Sequence, residues 1–556
     1  MSTSMSTPTP LISSTSPPLV LPSALTDVAG GMQEAQMASL LSNWKLTPAT
    51  MMAHLDPSWI PAKWLQYLSL KIAQCIIRGN NGLLISAPPR HGKSRLSTIA
   101  TPLWVLENFP SKQVVVATYG EELSTDFSRD IRDFIQNNPN ELSVRLRSDT
   151  QRVTNFMTTM GGGLKAVGLK GTITGRGANV LVIDDYIKND KEAMSPGYMD
   201  DLWNWYLTTA RTRLEPGAVI IILATRWVAN DLHGRIMKMQ QRTGRYFYEY
   251  ISLPAIAVEG KEDPIHRSPG QVLFPERYDT DSIHALRDEL GSRWFGAMFQ
   301  QNPEEGDNDL CNPAWFKGIT RSQFDTKLAE AEAAGYTIKW VRDWDMASTK
   351  EAGDFTTGAR CAYIKETGEF FIESMRRGQY SAARAEEEFK ACVKIDYDEH
   401  PDLIIGMEQE PGSSGSYSIR HFQGIARKIV SGSKVYEHRA TTSKLLNAQP
   451  LLAAAEAGKV FVVQEIIPDS ENRRPWTEAF YSEIELFPES DHDDQMDSTA
   501  GAYKLATGKT SLTAAIGRSM DVMAAKTRVK GIQTGQIPED SGVKRRSSVT
   551  FGRKRY

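Results

Sequence analysis

One short stretch of the sequence combines residue types that bind phosphate. Residues 82–94 read GLLISAPPRHGKS, an apolar run followed by Gly92, Lys93 and Ser94. In a phosphate-binding loop the glycine lets backbone N–H groups approach a phosphate, the lysine brings positive charge to the β- and γ-phosphates, and the serine hydroxyl contacts Mg²⁺. The stretch departs from the GxxxxGK[ST] pattern at its first position, where Ala87 replaces glycine. The alternative is an ordinary strand, turn and helix that happens to contain Gly-Lys-Ser.

A second stretch places two carboxylates at the end of an apolar run. Residues 179–185 read NVLVIDD, which predicts a buried strand that ends in Asp184 and Asp185. Downstream of a phosphate-binding loop, the first acid is expected to hold Mg²⁺ and the second to act as the base that orients the attacking water. The side chain of Asp185 is shorter than the glutamate often found in that position. Taken alone, an acid pair at a strand end is equally consistent with a cap or a turn.

Further polar residues are candidates for contacts to a nucleotide. Gln66 lies on a predicted helix before the loop, where an amide can recognise adenine, although a solvated glutamine is equally consistent. Thr225 follows the apolar run 218–224 and is either a sensor of the γ-phosphate or a strand terminator. Arg90 and Arg176 are candidates for stabilising charge in phosphoryl transfer, one in cis and one in trans, and Arg176 is also a candidate for a DNA phosphate contact. The predicted nucleotide-binding set is Gln66, Pro89, Arg90, His91, Gly92, Lys93, Ser94, Arg95, Asp184 and Thr225.

The second half of the chain carries acids at the ends of other predicted strands. Asp345 ends the run 338–345, Glu408 ends the run 402–408, and the cluster DHDDQMD at 491–497 precedes a predicted helix. Carboxylates that converge on one point suit a pair of Mg²⁺ or Mn²⁺ ions, which activate water and stabilise the leaving 3′-oxygen of a phosphodiester. The predicted catalytic residues are Asp345, Glu408 and Asp494, and the predicted metal ligands also include Asp493. Taken singly, each acid is more often a solvated or capping residue.

The elements that must position these residues form two groups along the chain. Alternating predicted strands and helices in the first half indicate an α/β domain with a mostly parallel sheet. In the second half, the predicted strands 338–345, 357–364 and 369–374 are followed by a helix and then by the strand that ends at Glu408, which is the order of RNase H-like nucleases. We predict a disordered arm at 1–30, an ATPase domain at 31–303, a linker at 304–335, a nuclease domain at 336–510 and a basic tail at 511–556.

The bulk composition excludes several classes of protein. The 556 residues include 40% hydrophobic and 24% charged residues, which is typical of a globular chain with more than one domain. Four widely spaced cysteines do not match zinc-ligand spacing, and no apolar run reaches the length of a membrane span. With a net charge of −3, a nucleic-acid surface would have to be locally basic. The basic segment 544–556 is a candidate anchor for DNA phosphates or an acidic partner, and solvated disorder is the alternative.

Together these motifs resemble those of tailed-bacteriophage terminase large subunits, the ATP-driven motors that package viral DNA. The resemblance extends from about residue 55 to residue 507. It rests on PPRHGKS at 88–94, VIDD at 182–185, ATRW at 224–227, FQQNP at 299–303, WDMA at 344–347 and HDDQMD at 492–497, and also on ATTSK at 440–444 followed by AAAEAG at 453–458. The combination of a phosphate-binding loop with a later set of strand-end acids is more specific than any single motif.

The resemblance implies an α/β chain with a P-loop ATPase domain and an RNase H-like nuclease domain. ATP with Mg²⁺ would bind at the first site and two Mg²⁺ or Mn²⁺ at the second. The partners implied are double-stranded DNA, a portal protein, a small terminase subunit and a homo-oligomeric ring of about five copies, with no membrane. The chain would act in the cytoplasm of the infected bacterium, at the portal vertex of the procapsid.

Two alternative functions remain open from the sequence. A helicase-nuclease of DNA repair or recombination shares the loop and the acids, but the sequence shows no clear series of aromatic residues for stacking single-stranded bases. A non-enzymatic scaffold that binds ATP as a structural ligand is the second, and the presence of both Asp184 and Asp185 argues against it.

Overall fold

The computed structural model describes residues 43–169, 171, 177–303, 311–346, 355–408, 413–438, 444–465, 475–488, 493–508 and 520. The predicted arm 1–30, the predicted tail 511–556 apart from Met520, and Arg176 lie outside the described residues. Within the described ranges, no helix is long and apolar enough to cross a bilayer.

The first of two sheets is built from the first half of the chain. Its strands are β1 (Asn81–Ser86), β2 (Gln113–Thr118), β3 (Leu146–Arg152), β4 (Asn155–Thr158), β5 (Gly163–Gly168), β6 (Ala178–Asp184), β7 (Leu214–Ala224) and β8 (Tyr248–Ser252). Their spatial order is β3-β4-β5-β2-β6-β7-β1-β8, with parallel pairing from β5 to β8 and antiparallel pairing of β3 and β4. The associated helices are α1 (Pro48–Leu55), α2 (Lys63–Arg78), α3 (Thr101–Asn108), α4 (Glu121–Asn137), α5 (Asp190–Ala193), α6 (Pro196–Trp205), α7 (Leu232–Thr243) and α8 (Thr280–Met298).

The parallel strands of the first sheet are apolar because both faces of the sheet are covered. In β1 and β2, every residue after the first is buried. The predicted strands that end at Ser86, Asp184 and Ala224 are confirmed. Strand β7 lies between β6 and β1, and its register places Leu223 opposite Asp184 and Ala224 opposite Ser86. The residues that follow these three strands therefore meet at one edge of the sheet.

The second sheet is mixed. Its strands are β9 (Lys317–Ile319), β10 (Ile338–Asp345), β11 (Thr356–Ile364), β12 (Glu369–Gly378), β13 (Ile404–Glu408), β14 (Lys434–His438) and β15 (Val460–Val463). Their order is β14-β13-β10-β11-β12-β15-β9. The associated helices are α9 (Arg321–Ala333), α10 (Ala382–Glu399), α11 (Ser413–Ile429), α12 (Lys444–Glu456), α13 (Trp476–Leu486) and α14 (Asp494–Thr507).

The order of pairing in the second sheet is that of an RNase H-like fold. Strands β10, β11 and β12 form an antiparallel meander, and β13 returns parallel to β10 with β14 parallel to β13. The predicted strand order is therefore confirmed. One face of β10 and β11 packs against α14, where Val341, Ala359 and Ala500 share a buried cluster. The opposite face packs against α10 and α11, where Trp344 joins Phe389.

Part of the predicted linker 304–335 belongs to the second sheet. Strand β9 pairs in parallel with β15, and α9 begins immediately afterwards with a capping box at Thr320. Phe324 of α9 packs with Phe371 of the sheet. Three residues are too few for a strand to show a recognisable hydrophobic period, which is why the sequence did not indicate β9.

The two sheets are joined by a contact between α8 and α12. Helix α8 is kinked at Gly291, whose φ of 74° is unfavourable for other residues. At the kink, the Ser292 N–H donates to Glu456 Oε2 at 2.9 Å, and Gln449 Nε2 donates to the Leu290 carbonyl at 2.8 Å. Both acceptor and donor side chains come from α12. The backbone groups freed by the kink are thus satisfied by the second half of the chain.

Two glycines make room for a carboxylate inside the second half. Asp343 is 1% exposed and lies on the same face of β10 as Asp345. A Cβ at Gly501 of α14 would lie 1.9 Å from Asp343 Oδ2, and a Cβ at Gly406 of β13 would lie 1.9 Å from Asp343 Oδ1. Any larger residue at these two positions must displace the carboxylate.

We predict that Gly501→Ala lowers the free energy of unfolding by about 2 kcal/mol, the usual scale of overpacking, although alanine is the better helix former. The matched control is Gly424→Ala in α11, where an added Cβ meets nothing within 4 Å. There we expect a gain of about 0.5–1 kcal/mol from helix propensity alone. Urea unfolding followed by tryptophan fluorescence measures both changes. Stabilisation by Gly501→Ala would contradict the packing argument.

Candidate active sites

The loop after β1 is held in a fixed shape by contacts of its own backbone. Arg90 and Gly92 have φ values of 57° and 89°, so the chain turns sharply twice before the helical segment that begins at Arg95. The Tyr278 hydroxyl donates to the Arg90 carbonyl at 3.1 Å, and His91 Nδ1 lies 2.8 Å from the Pro89 carbonyl. Such turns leave backbone N–H groups available to an anion at the start of the helix.

Lys93 links the ends of three strands. Its ammonium donates to Asp185 Oδ2 at 2.8 Å and to Thr225 Oγ1 at 3.0 Å, and its side chain is 5% exposed. The Thr225 hydroxyl in turn donates to the Ala87 carbonyl at 3.3 Å. The structure therefore brings together the loop lysine, the strand-end acid and the strand-end threonine that the sequence predicted.

Asp185 reaches this position through an unusual backbone turn. Its φ is 43°, in the left-handed region that aspartate tolerates better than most residues. Its N–H donates to the Leu223 carbonyl of β7 at 3.0 Å, and its Oδ1 accepts the Thr225 N–H at 3.3 Å. The turn directs the carboxylate across the end of β7 toward Lys93.

Asp184 has the environment of a metal ligand. The side chain is 1% exposed, the Ser94 hydroxyl hydrogen-bonds to it, and its Oδ1 has no hydrogen-bond partner among the described residues. Burial, followed by the charge of Asp185, raises the pKa of Asp184. A buried carboxylate oxygen without a partner, next to a serine hydroxyl, fits the oxygen ligands that Mg²⁺ prefers.

The remaining predicted nucleotide contacts have local partners. Gln66 Nε2 donates to the Pro61 carbonyl at 2.6 Å, so its amide is engaged at the start of α2. Arg95 forms an ion pair with Asp56 and hydrogen-bonds to Ser58. Their roles in nucleotide binding stay predictions. Arg176 lies outside the described residues.

The second site lies at the corresponding edge of the second sheet. Strands β10 and β13 are parallel neighbours with Trp344 opposite Met407, so Asp345 and Glu408 end adjacent strands. Burial, then the charges of Asp497, Glu408 and Asp494, raise the pKa of Asp345 well above its usual range. The acids predicted from strand ends and from the start of α14 therefore share one electrostatic environment.

Asp493 and Asp494 differ in their surroundings. Asp493, immediately before α14, is 3% exposed, and its Oδ2 has no hydrogen-bond partner among the described residues. Its Oδ1 accepts from Lys444 Nζ at 2.5 Å. Asp494 Oδ2 accepts the Phe355 N–H at 3.2 Å, and its carbonyl accepts the Thr357 hydroxyl at 2.8 Å. Asp494 thus also ties α14 to β11.

Asp497, which lies one helical turn after Asp493, was not among the predicted site residues. Burial, then the charge of Asp493, raises the pKa of Asp497 to about 7. Its i,i+4 spacing from Asp493 would have indicated that the two face the same direction once a helix is assumed. Asp343 and His438 were also missed, and His438 Nε2 lies 2.7 Å from Asp343 Oδ1. No spacing along the chain predicts that pair, because β10 and β14 are far apart in sequence.

Carboxylates dominate the second site, and oxygen ligands suit Mg²⁺ or Mn²⁺. The orphaned Oδ2 of Asp493 is the atom whose surroundings fit a cation. Across the described part of the chain, however, no three His, Cys, Asp or Glu side chains are arranged to hold a metal ion. The acids are near one another, but in this conformation the ammonium of Lys444 lies between Asp493 and Asp497, 2.5 and 3.7 Å from their nearest oxygens.

The loop, the strand-end acid pair and the interposed strand β7 define the first sheet as a P-loop nucleotide-binding fold. Residues 84–304 match the family model described as "Terminase large subunit, T4likevirus-type, N-terminal". The match shows that this part of the chain resembles the N-terminal part of terminase large subunits, and the resemblance predicted from the motifs is confirmed. A search of curated protein sequences gave no match.

Solved terminase structures show distant likeness. The large terminase of a thermophilic bacteriophage, in one crystal form, aligns with a TM-score of 0.43 at 11% identity, over 80% of this chain and 98% of that one. The large terminase of bacteriophage HK97 aligns with a TM-score of 0.28 at 11% identity, over 80% and 94%. The terminase nuclease domain of human cytomegalovirus, Mn-soaked and inhibitor-bound, aligns with a TM-score of 0.26 at 15% identity, over 33% and 92%. These TM-scores are too low to establish a shared arrangement of the whole chain.

His91 provides a pH-dependent prediction for the first site. Burial lowers the pKa of His91 to about 3, so the unfolded chain binds the proton more readily than the folded chain at every pH between about 3 and 6.5. Stability is therefore lost as the pH falls below 6.5. Between pH 7 and pH 5 we expect His91 to cost about 2 kcal/mol of unfolding free energy.

The measurement is urea unfolding of the wild type and of His91→Gln at both pH values. We expect the variant to lose about 2 kcal/mol less than the wild type over this range. His421→Gln, at a side chain that is 49% exposed, is the matched control and should follow the wild type. Parallel pH profiles for wild type and His91→Gln would show that His91 does not titrate differently on folding.

Proposed function

We propose that this chain hydrolyses ATP at the first site to move double-stranded DNA into a procapsid, and cleaves DNA with divalent metal at the second. One observation carries the proposal. A single chain presents strand-end acids at the edges of two separate sheets. The acids of the first sheet lie beside the lysine of the phosphate-binding loop, whereas those of the second sheet have no such loop near them within the described residues. Two sites of different chemistry are what a motor that also cuts its substrate needs.

At the first site, each residue has a role that follows from its position. Backbone N–H groups around Gly92 and the Lys93 ammonium would bind the phosphates of ATP, with Ser94 and Asp184 holding Mg²⁺. Asp185 would orient the attacking water, because a phosphate of ATP bound to the Lys93 ammonium would free the Asp185 carboxylate from its contact with that lysine. Thr225 contacts Lys93, Asp185 and the loop carbonyl of Ala87, so it is placed to respond to the γ-phosphate.

At the second site, Asp345, Glu408 and Asp493 would hold divalent metal ions, with Asp494 and Asp497 completing the acid cluster. Mg²⁺ or Mn²⁺, when bound, supplies an activated water and stabilises the charge on the leaving 3′-oxygen. Asp345 and Glu408 lie at the ends of neighbouring strands, and α14 brings Asp493 to the same edge. This geometry supports endonucleolytic cleavage of a phosphodiester backbone without reading its bases.

The proposed domain boundary, assembly and partners follow from the resemblance to terminase large subunits. We propose a boundary between an ATPase part and a nuclease part after Pro303, assembly as a ring of about five copies on a portal protein, and delivery of viral DNA by a small terminase subunit. Arg90 and Arg176 are the proposed sources of stabilising charge for ATP hydrolysis. The substrate is concatemeric double-stranded DNA in the cytoplasm of the infected bacterium.

We predict that the two activities separate genetically. Lys93→Ala should reduce DNA-stimulated phosphate release at least about 100-fold, because it removes a positioned charge from the transition state, and should leave plasmid nicking in Mn²⁺ within about threefold of wild type. Asp345→Asn should abolish plasmid nicking, because it removes a carboxylate from a metal site, and should leave DNA-stimulated phosphate release close to that of the wild type.

Matched controls change the same residue types on exposed surfaces. Lys63→Ala and Asp325→Asn alter exposed residues that belong to neither site, and both activities should persist. Loss of both activities in a folded Lys93→Ala protein would contradict two separate sites. An ATPase defect in Asp345→Asn would contradict the assignment of that acid to cleavage.

A further inference from the structure

A lysine lies inside the acid cluster of the second site. We use "acid cluster" for Asp345, Glu408, Asp493, Asp494 and Asp497. Lys444 is the first residue of α12, and its Nζ lies 2.5 Å from Asp493 Oδ1 and 3.7 Å from Asp497 Oδ2. The lysine side chain is 56% exposed, whereas that of Asp493 is 4% exposed. A largely exposed cation therefore pairs with a buried anion.

Helix stability does not explain this placement. A positive side chain in the first turn of a helix is opposed by the helix dipole, which favours acids there. Although partial burial opposes it, the hydrogen bond to Asp493 and the charge of Asp497 raise the pKa of Lys444. The favourable partners of Lys444 are thus the acids at the start of α14, not its own helix.

The ammonium satisfies only part of the cluster. Asp493 Oδ2 stays without a hydrogen-bond partner among the described residues, and the pKa of Asp345 is raised by burial and by several neighbouring acids. Lys504 and His438 also bring positive charge near Glu408, but Lys504 donates to Asn447 and His438 pairs with Asp343. Lys444 is therefore the cation placed directly on the acids that a metal ion would use.

We propose that Lys444 is a tethered cation that occupies one cation position of the second site until a divalent metal ion displaces it. The inference rests on the proposed nuclease function. A metal ion bound at Asp493 Oδ2 would share one carboxylate with the ammonium held at Oδ1, and the two positive charges would repel each other, so the two cations compete. Lys444 then lowers the affinity of the site for metal and stabilises the folded acid cluster when metal is scarce.

The test measures metal binding directly, not cleavage. All proteins are the full chain with Asp184→Asn, which removes the acid of the first site that could also bind metal. Free Mn²⁺ is quantified by electron paramagnetic resonance during titration. Lys444→Met, of similar length without charge, should bind Mn²⁺ at the second site at least about fivefold more tightly than its parent. Lys390→Met removes an ion-paired lysine of α10 whose side chain is 46% exposed, and it should not change the affinity.

Thermal unfolding gives a second readout. Without metal, Lys444→Met should melt at a lower temperature than its parent, and saturating Mn²⁺ should close that gap. If Lys444→Met is unfolded without metal but folds when Mn²⁺ is added, the proposal is supported in its strongest form. Lys444→Gln, which keeps a polar side chain, repeats both measurements.

The outcomes separate this inference from the proposed function. Unchanged or weaker Mn²⁺ binding by Lys444→Met and Lys444→Gln would overturn the role of the lysine, as would variants that stay unfolded with Mn²⁺ present. If Asp493→Asn then abolishes Mn²⁺ binding, the assignment of the acid cluster as a metal site still holds. If Asp493→Asn and Asp345→Asn both bind Mn²⁺ like the parent, the acid cluster is not a metal site, and the nuclease assignment falls together with the inference.

Discussion

Both sites depend on holding carboxylates, several of them buried, at the ends of β strands and, in the second site, at the start of a helix. An unpaired buried carboxylate costs several kcal/mol, so the fold must either neutralise it or pair it. At the first sheet the partner is Lys93, which donates to Asp185 at 2.8 Å. At the second it is Lys444, which donates to Asp493 at 2.5 Å. At the first site an oxygen of the neighbouring Asp184 has no described partner, and at the second the other oxygen of Asp493 itself has none. Each site thus combines a lysine that pairs with an acid and a buried carboxylate oxygen without a described partner.

Strand order decides which side chains can meet at these edges. Because β7 separates β1 from β6, the threonine after β7 bridges the loop lysine and the acid after β6. In the second sheet β10 and β13 are direct neighbours, so Asp345 and Glu408 need no intermediary. The third source of acid is a helix start, where the dipole stabilises negative charge. Gly406 and Gly501 then allow Asp343 to be buried beneath the cluster.

The sequence predicted those features that depend on residues close together along the chain. Apolar runs that end in acids mark buried parallel strands, so the strands ending at Asp184, Asp345 and Glu408 were predicted correctly. Contacts between residues far apart in sequence could not be predicted from local patterns. The contact between Lys444 and Asp493, which are 49 positions apart, is one of these. The short strand β9 was assigned to a linker, since only its pairing with β15 makes it a strand. Site residues could thus be predicted from the sequence where they directly end a strand.

Helix α12 places the two sites in one connected set of contacts. It begins at Lys444 in the acid cluster and ends at Glu456, which accepts the Ser292 N–H at the kink of α8. Helix α8 leads to Gln301, whose Oε1 accepts the N–H of Arg226, next to Thr225. Contact alone is not coupling, which requires an element with two arrangements. Gly291 at the kink is allowed backbone angles that other residues avoid, and the hydrogen bonds of the adjacent Ser292 and Leu290 connect the kink to α12.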